Sequence, residues 1–80
     1  MIKIYSTPVC PYCVVAKEFL KKNNISFEDI NVAADENVAK EMIEKSHQMG
    51  VPVIDVDGEI FVGFNRAELE NALKAKGLLS

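Results

Sequence analysis

Two cysteines, Cys10 and Cys13, are the only thiols in this chain of 80 residues, and they flank Pro11-Tyr12. A thiol pair at this spacing can bind a metal, close a small structural disulfide, or cycle between dithiol and disulfide. A tetrahedral zinc site needs about four ligands, yet there is no second cysteine pair and His47 is the only histidine. A bridge closing so short a loop would restrain the unfolded chain little. Redox cycling fits the surroundings best, because the pair falls between a strand-like and a helix-like stretch in a βαβ pattern.

The helix start gives the pair its chemistry. Proline suits the first helical position, where its missing N–H would have had no intrahelical partner. With Pro11 there, Cys10 becomes the N-cap and Cys13 lies in the first turn, so both sulfurs share one face. Backbone N–H groups then point at the Cys10 sulfur, and the helix end favours a negative charge by about 0.3–2 kcal/mol. The thiolate is the nucleophile in disulfide exchange, so Cys10 is expected to attack and Cys13, less exposed, to resolve.

Other residues have two readings each. Val51-Pro52 is either a turn before a strand, or a cis peptide beside the dithiol that offers the Val51 backbone to an extended substrate. Gly63 is a bend or a place where a ligand approaches the backbone. Tyr12 packs over a substrate or shields the helix start, while His47 reads as ordinary surface and is left out of the site.

The elements that position these residues follow from periodicity. Met1 to Tyr5 is strand-like, and a helix runs from Pro11 to about Asn23 with Val15, Ala16, Phe19 and Leu20 as its apolar stripe. A second strand covers about Ser26 to Asn31, with Phe27 and Ile30 directed to the core. Strand, helix and strand in this length imply parallel strands joined by a crossover. Asp35 caps a second helix from Glu36 to about Met49, with Val38, Ala39, Met42 and Ile43 inward and Glu36–Lys40 and Glu41–Lys45 outside. Gly50, followed by Pro52, is expected to end it. Val53–Val56 and Glu59–Val62 flank Asp57-Gly58, a strong hairpin signal. Asn65 and Glu68 have the spacing of a capping box before a third helix, Arg66–Lys76, with Leu69, Ala72 and Leu73 inward and Gly77 at its end. The order is βαβαββα, an α/β chain with a mixed four-stranded sheet and three helices in a single domain, residues 1–80.

Composition limits the partners. The chain is 49% hydrophobic and 26% charged with a net charge of −3, which describes a globular domain and not a disordered one. No basic run exceeds Lys21-Lys22, so no nucleic-acid surface is expected. No apolar run is long enough for a signal peptide or a membrane span. The expectation is a cytoplasmic monomer, in a compartment where a lone cysteine pair is not a permanent staple.

Cys10-Pro11-Tyr12-Cys13 after a strand, Val51-Pro52 before a hairpin and Gly63 before the last helix resemble glutaredoxin, a branch of the thioredoxin-like oxidoreductases. The likeness runs along essentially the whole chain. It implies a sheet order 2-1-3-4, a cis proline at Pro52, catalysis by Cys10 and Cys13, and shaping of the site by Pro11, Tyr12 and Pro52. The implied activity is reduction of protein disulfides and glutathione mixed disulfides, with glutathione as reductant and no bound metal or other cofactor. Thr7, Val51, Gly63, Phe64 and Asn65 are the implied glutathione- or substrate-binding residues. The sequence departs from the family at that subsite. Thr7 stands where many members have a lysine, and Gly63-Phe64-Asn65-Arg66-Ala67 replaces two glycines followed by paired aspartates. Gln48 and Arg66 are candidates to assist a carboxylate there. Phe64 after Gly63 is closer to the small redoxins that are recharged by thioredoxin reductase and serve ribonucleotide reductase. A third implied alternative is an iron–sulfur carrier that uses Cys10 together with external thiolates.

Overall fold

The computed structural model describes residues 2–79; Met1, the expected first residue of the first strand, lies outside them. The elements are β1 (Ile2–Ser6), α1 (Pro11–Lys22), β2 (Glu28–Asn31), α2 (Glu36–Ser46), β3 (Val53–Val56), β4 (Glu59–Val62) and α3 (Arg66–Ala75). One sheet of order β2-β1-β3-β4 joins the strands, as the family resemblance implies. β1 runs parallel to β2 and antiparallel to β3, and β3 pairs antiparallel with β4.

Alternation along the strands sends side chains to two separate cores. Ile2 and Ile4 of β1 and Ile54 and Val56 of β3 pack with Ala16 and Leu20 of α1 and Leu69 and Leu73 of α3. Tyr5 and Val53 point the other way and pack against Met42 of α2. Asp57 and Gly58 both have positive φ, 51° and 98°, the conformation that a two-residue hairpin loop requires.

Three local expectations are corrected. In α1 the buried stripe is Cys13, Ala16 and Leu20, whereas Val15 is 48% exposed. The stripe is set by spacings of three and four from Cys13, and Val15 falls outside it. β2 begins at Glu28 and is a largely exposed edge strand, flanked by Phe27. Phe27 and Ile30 are only partly buried and pack against opposite cores, because an odd spacing in a strand places two side chains on opposite faces. α2 ends at Ser46 and not near Met49, because His47 takes the left-handed conformation (φ 59°) and its N–H bonds the Ile43 carbonyl. Gly50 instead belongs to a loop braced by Gln48, whose side chain donates to the Gly50 carbonyl at 3.0 Å and to Ser46 Oγ at 3.2 Å.

The second core contains a polar chain where a solvated helix face was expected. The buried Tyr5 hydroxyl donates to Glu41 Oε2 at 2.6 Å and accepts from Lys45 Nζ at 2.9 Å. Lys45 also donates to Asp55 Oδ2 at 2.9 Å, and Asp55 Oδ1 accepts from the Gly58 N–H at 2.7 Å. Glu41 and Lys45 thus converge on Tyr5 and fasten α2 to the sheet. The Tyr5 hydroxyl holds the Glu41 carboxyl below its ordinary range. Burial alone would raise Asp55, but the Lys45 ammonium and the Gly58 N–H outweigh it, and the net direction is down. Lys45 is raised by its bonds to Tyr5 and Asp55, and Tyr5 is raised by burial and by donation to Glu41.

The two lowered carboxyls contribute stability at neutral pH that is lost as pH falls through their folded-state values, below about pH 4. Tyr5 and Lys45 contribute stability that is lost above about pH 10. Lys45→Met leaves the largely buried Asp55 carboxylate without its cation and is expected to cost about 2 kcal/mol at pH 7. Urea unfolding at pH 7 and pH 3.5 checks this, with a smaller cost at the lower pH.

Candidate functional site

β1 is an interior strand, so the chain leaving Ser6 emerges from the middle of one sheet end. Tyr5 is paired with Val53, and Val53 with Val62. The segments Thr7–Cys10, Val51–Pro52 and Gly63–Phe64 therefore gather at that same end. The Gly63 N–H donates to the Pro52 carbonyl at 2.8 Å, tying two of them together. Pro52 is buried, and the Val51–Pro52 peptide is cis. Gly63 has φ 77°, the left-handed region that suits glycine.

Cys10 is the N-cap of α1, extended at φ −94° and ψ 111°, and Pro11 follows at the first helical position. Its sulfur accepts the Cys13 N–H at 3.2 Å, while its carbonyl accepts the Val14 N–H at 3.3 Å. A charge on this sulfur therefore meets an oriented donor, and the first turn of α1 holds no acidic side chain to oppose it. The two sulfurs are joined as a disulfide with Cα atoms 5.2 Å apart, a separation a bridge spans without backbone movement. Cys10 is 9% exposed and Cys13 is fully buried, which gives only Cys10 a path to an external disulfide.

The rim is apolar. Val9 is 88% exposed, Tyr12 67% and Met49 78%. Phe64 packs edge-on against Phe19 of α1, with ring centroids 5.9 Å apart, and so closes the β4–α3 corner. Thr7 and Val51 are half-buried, and Pro11 is exposed. Asn65 caps α3 by accepting the Glu68 N–H at 3.2 Å. Arg66 binds Glu70 Oε1 at 2.8 Å and lies 5.6 Å from the Phe19 ring. Gln48 is committed to its own loop. Both side chains considered for carboxylate binding thus have partners within the fold. Among the described residues, no three His, Cys, Asp or Glu side chains gather as a metal-binding group.

The glutaredoxin family model matches residues 2–62. This chain belongs to the glutaredoxin family. A glutaredoxin-like 8.6 kDa protein from a rubredoxin operon of Clostridium pasteurianum is 55% identical over 74 residues, covering 92% of this chain and 99% of that one. The glutaredoxin-like protein NrdH of Lactococcus lactis is 38% identical, covering 86% of this chain and 94% of its own. Glutaredoxin 3 of Escherichia coli is 33% identical over a shorter span, 72% of this chain and 70% of its own. A crystallised thioredoxin-like protein superposes with a TM-score of 0.86 at 34% identity, covering 91% of this chain and 94% of its own. This glutaredoxin-family chain is therefore a redox protein of thioredoxin-like fold with a Cys-x-x-Cys motif at Cys10 and Cys13.

In the sequence Ser6 marks only the end of the first strand, Asp29 carries no signal, and Lys17 lies outside the apolar stripe of its helix, on a face that suits either solvent or an acidic partner. The structure joins them: Asp29 accepts from Ser6 Oγ at 3.1 Å and pairs with Lys17 Nζ at 3.0 Å. No local motif marks this contact, since its three residues come from β1, β2 and α1. The geometry at Cys10 and Cys13 leads to a selective reactivity. Iodoacetamide at pH 7 is expected to label Cys10 of the reduced protein at least about tenfold faster than Cys13, as read by mass spectrometry of the two cysteines in Cys10→Ser and Cys13→Ser variants.

Proposed function

We propose that this protein is a cytoplasmic thiol–disulfide oxidoreductase that reduces protein disulfides and glutathione mixed disulfides, with Cys10 as nucleophile and Cys13 as resolving thiol. The Cys13 N–H directed at the Cys10 sulfur carries the reading. The Cys10 thiolate attacks one sulfur of the substrate disulfide, whose S–S bond breaks as a new one forms to Cys10. The departing thiolate takes a proton from solvent. The Cys13 thiolate then attacks the Cys10 sulfur, releasing the second substrate thiol and closing the Cys10–Cys13 disulfide. Two electrons from a reductant reopen it. Val51 offers its backbone to the extended substrate, Pro11, Tyr12 and Pro52 shape access, and Thr7, Gly63, Phe64 and Asn65 line the approach.

We infer further that a flavoprotein of the thioredoxin-reductase type supplies those electrons. The α3 start supports this. Asn65 already occupies one of its N–H groups, Glu68 stands in its first turn, and Arg66 is held by Glu70. An incoming carboxylate of glutathione meets a like charge there, and Thr7 offers it no cation. Exposed Val9, Tyr12 and Met49 suit a protein surface instead. Recharging by glutathione is the second reading, favoured by the Cys-Pro-Tyr-Cys sequence itself.

Turnover with NADPH and thioredoxin reductase, measured against NADPH, glutathione and glutathione reductase, separates the two. Faster reaction with the flavoprotein alone is expected, and faster reaction with glutathione contradicts it. Cys10→Ser is expected to abolish both reactions. With glutathione present to resolve the Cys10 mixed disulfide, Cys13→Ser is expected to keep clearance of glutathione mixed disulfides while losing most reduction of protein disulfides.

A further inference from the structure

The loop Thr7–Cys10 is short, and the position of the Cys10 sulfur depends on where its two ends are held. Ser6, at the end of β1, lies four residues before Cys10; Lys17, in α1, lies four residues after Cys13. A single carboxylate joins them. Asp29 Oδ1 accepts the hydroxyl of Ser6, which is 2% exposed, at 3.1 Å, and Asp29 Oδ2 pairs with Lys17 at 3.0 Å. Register explains the meeting. Ile4 is paired with Asp29 in the parallel ladder, so Asp29, Ile4 and Ser6 project to the face of the sheet that α1 covers. Beside them an open cavity of about 280 Å³ is lined by Ser6, Thr7, Pro8, Lys17, Asp29 and Asn31. The near half of the loop thus borders open space on this side, and the three residues of the polar clasp form part of its wall.

We propose that Asp29 is a positioning residue for the nucleophile: by clasping Ser6 to Lys17 it keeps the Cys10 sulfur in line with the Cys13 N–H. This rests on Cys10 being the nucleophile. Charge and position act in opposite directions here. Asp29 is an anion near a site that must hold a second anion, so removing its charge without moving the loop would favour the thiolate. Releasing Lys17 as a free cation would favour it further. If the clasp positions the sulfur, removing it lengthens the contact with the Cys13 N–H and disfavours the thiolate.

The test is the pH profile of iodoacetamide reaction at Cys10 in the reduced protein, carried out in a Cys13→Ser background with Asp29→Asn and, separately, Ser6→Ala. Far-UV circular dichroism verifies that each variant is folded. Asp29→Asn is expected to move the profile to higher pH and slow the reaction about threefold on its acidic limb, equivalent to about half a pKa unit, with the limiting rate at high pH unchanged. Ser6→Ala, which alters no charge, is expected to move it in the same direction. The double variant should go little further than Asp29→Asn alone, because both cut one clasp. An unchanged profile, a shift to lower pH, or uniform slowing at every pH overturns the proposal. Cys10→Ser in the otherwise native chain is the separate control for the nucleophile. Retained turnover there defeats the assignment of Cys10, whereas loss of turnover with an unshifted Asp29→Asn profile defeats only the positioning role.

Discussion

A thiolate in a small protein needs something to replace the water it gives up, and in the proposed mechanism the Cys13 N–H, which points at the Cys10 sulfur from the start of α1, is that replacement. That donor is available only because Pro11 begins the helix immediately after Cys10, leaving Cys13 in the first turn. The helix in turn is anchored by Ala16 and Leu20 in the core beneath it. Removing the apolar stripe or the proline start would move the donor, whatever happened to the sulfur. The core packing and the reactivity proposed for Cys10 are consequently two aspects of one arrangement.

The end of β1 is where this arrangement is held. Tyr5 and Ser6 are both buried, neighbouring residues that face opposite sides of the sheet. Tyr5 is fastened to α2 through Glu41 and Lys45, and Ser6 to β2 and α1 through Asp29 and Lys17. Polar side chains in such places are costly unless their partners are present, and each hydroxyl has one here. The chain that carries Cys10 thus leaves the sheet from a point restrained on both faces. Pro52 and Gly63, joined by their own hydrogen bond, stand at the same sheet end and complete the rim.

The elements were legible because their signals are local. Cys10-Pro11 marks a helix start, Asp57-Gly58 a hairpin, and Asn65 a cap, and each operates within a few residues. The misplaced end of α2 shows the limit of such signals. Gly50 and Pro52 form a standard stop pattern, yet the helix ends earlier at His47, where Gln48 folds back on the loop and makes Gly50 part of it. The inward turn of Glu41 and Lys45 was hidden for a related reason. Their i,i+4 spacing describes a surface pair equally well, and only the position of Tyr5 on a different element draws them in. Asp29 is the extreme case, since its role exists only once three elements are assembled. The dithiol was thus readable from four residues, whereas its supports became visible only in the fold.

In the proposed mechanism Cys10 ionises well below an ordinary thiol, because Pro11 starts α1 immediately after it and turns the Cys13 N–H toward its sulfur. Thiolate absorbance near 240 nm, followed against pH for the reduced protein, Cys10→Ser and Cys13→Ser, reads this ionisation. A transition clearly below the free-thiol value of about 8.5 is expected in the parent and in Cys13→Ser and is expected to be missing from Cys10→Ser. A parent protein that titrates at the free-thiol value, or a low transition that survives loss of Cys10, would contradict it.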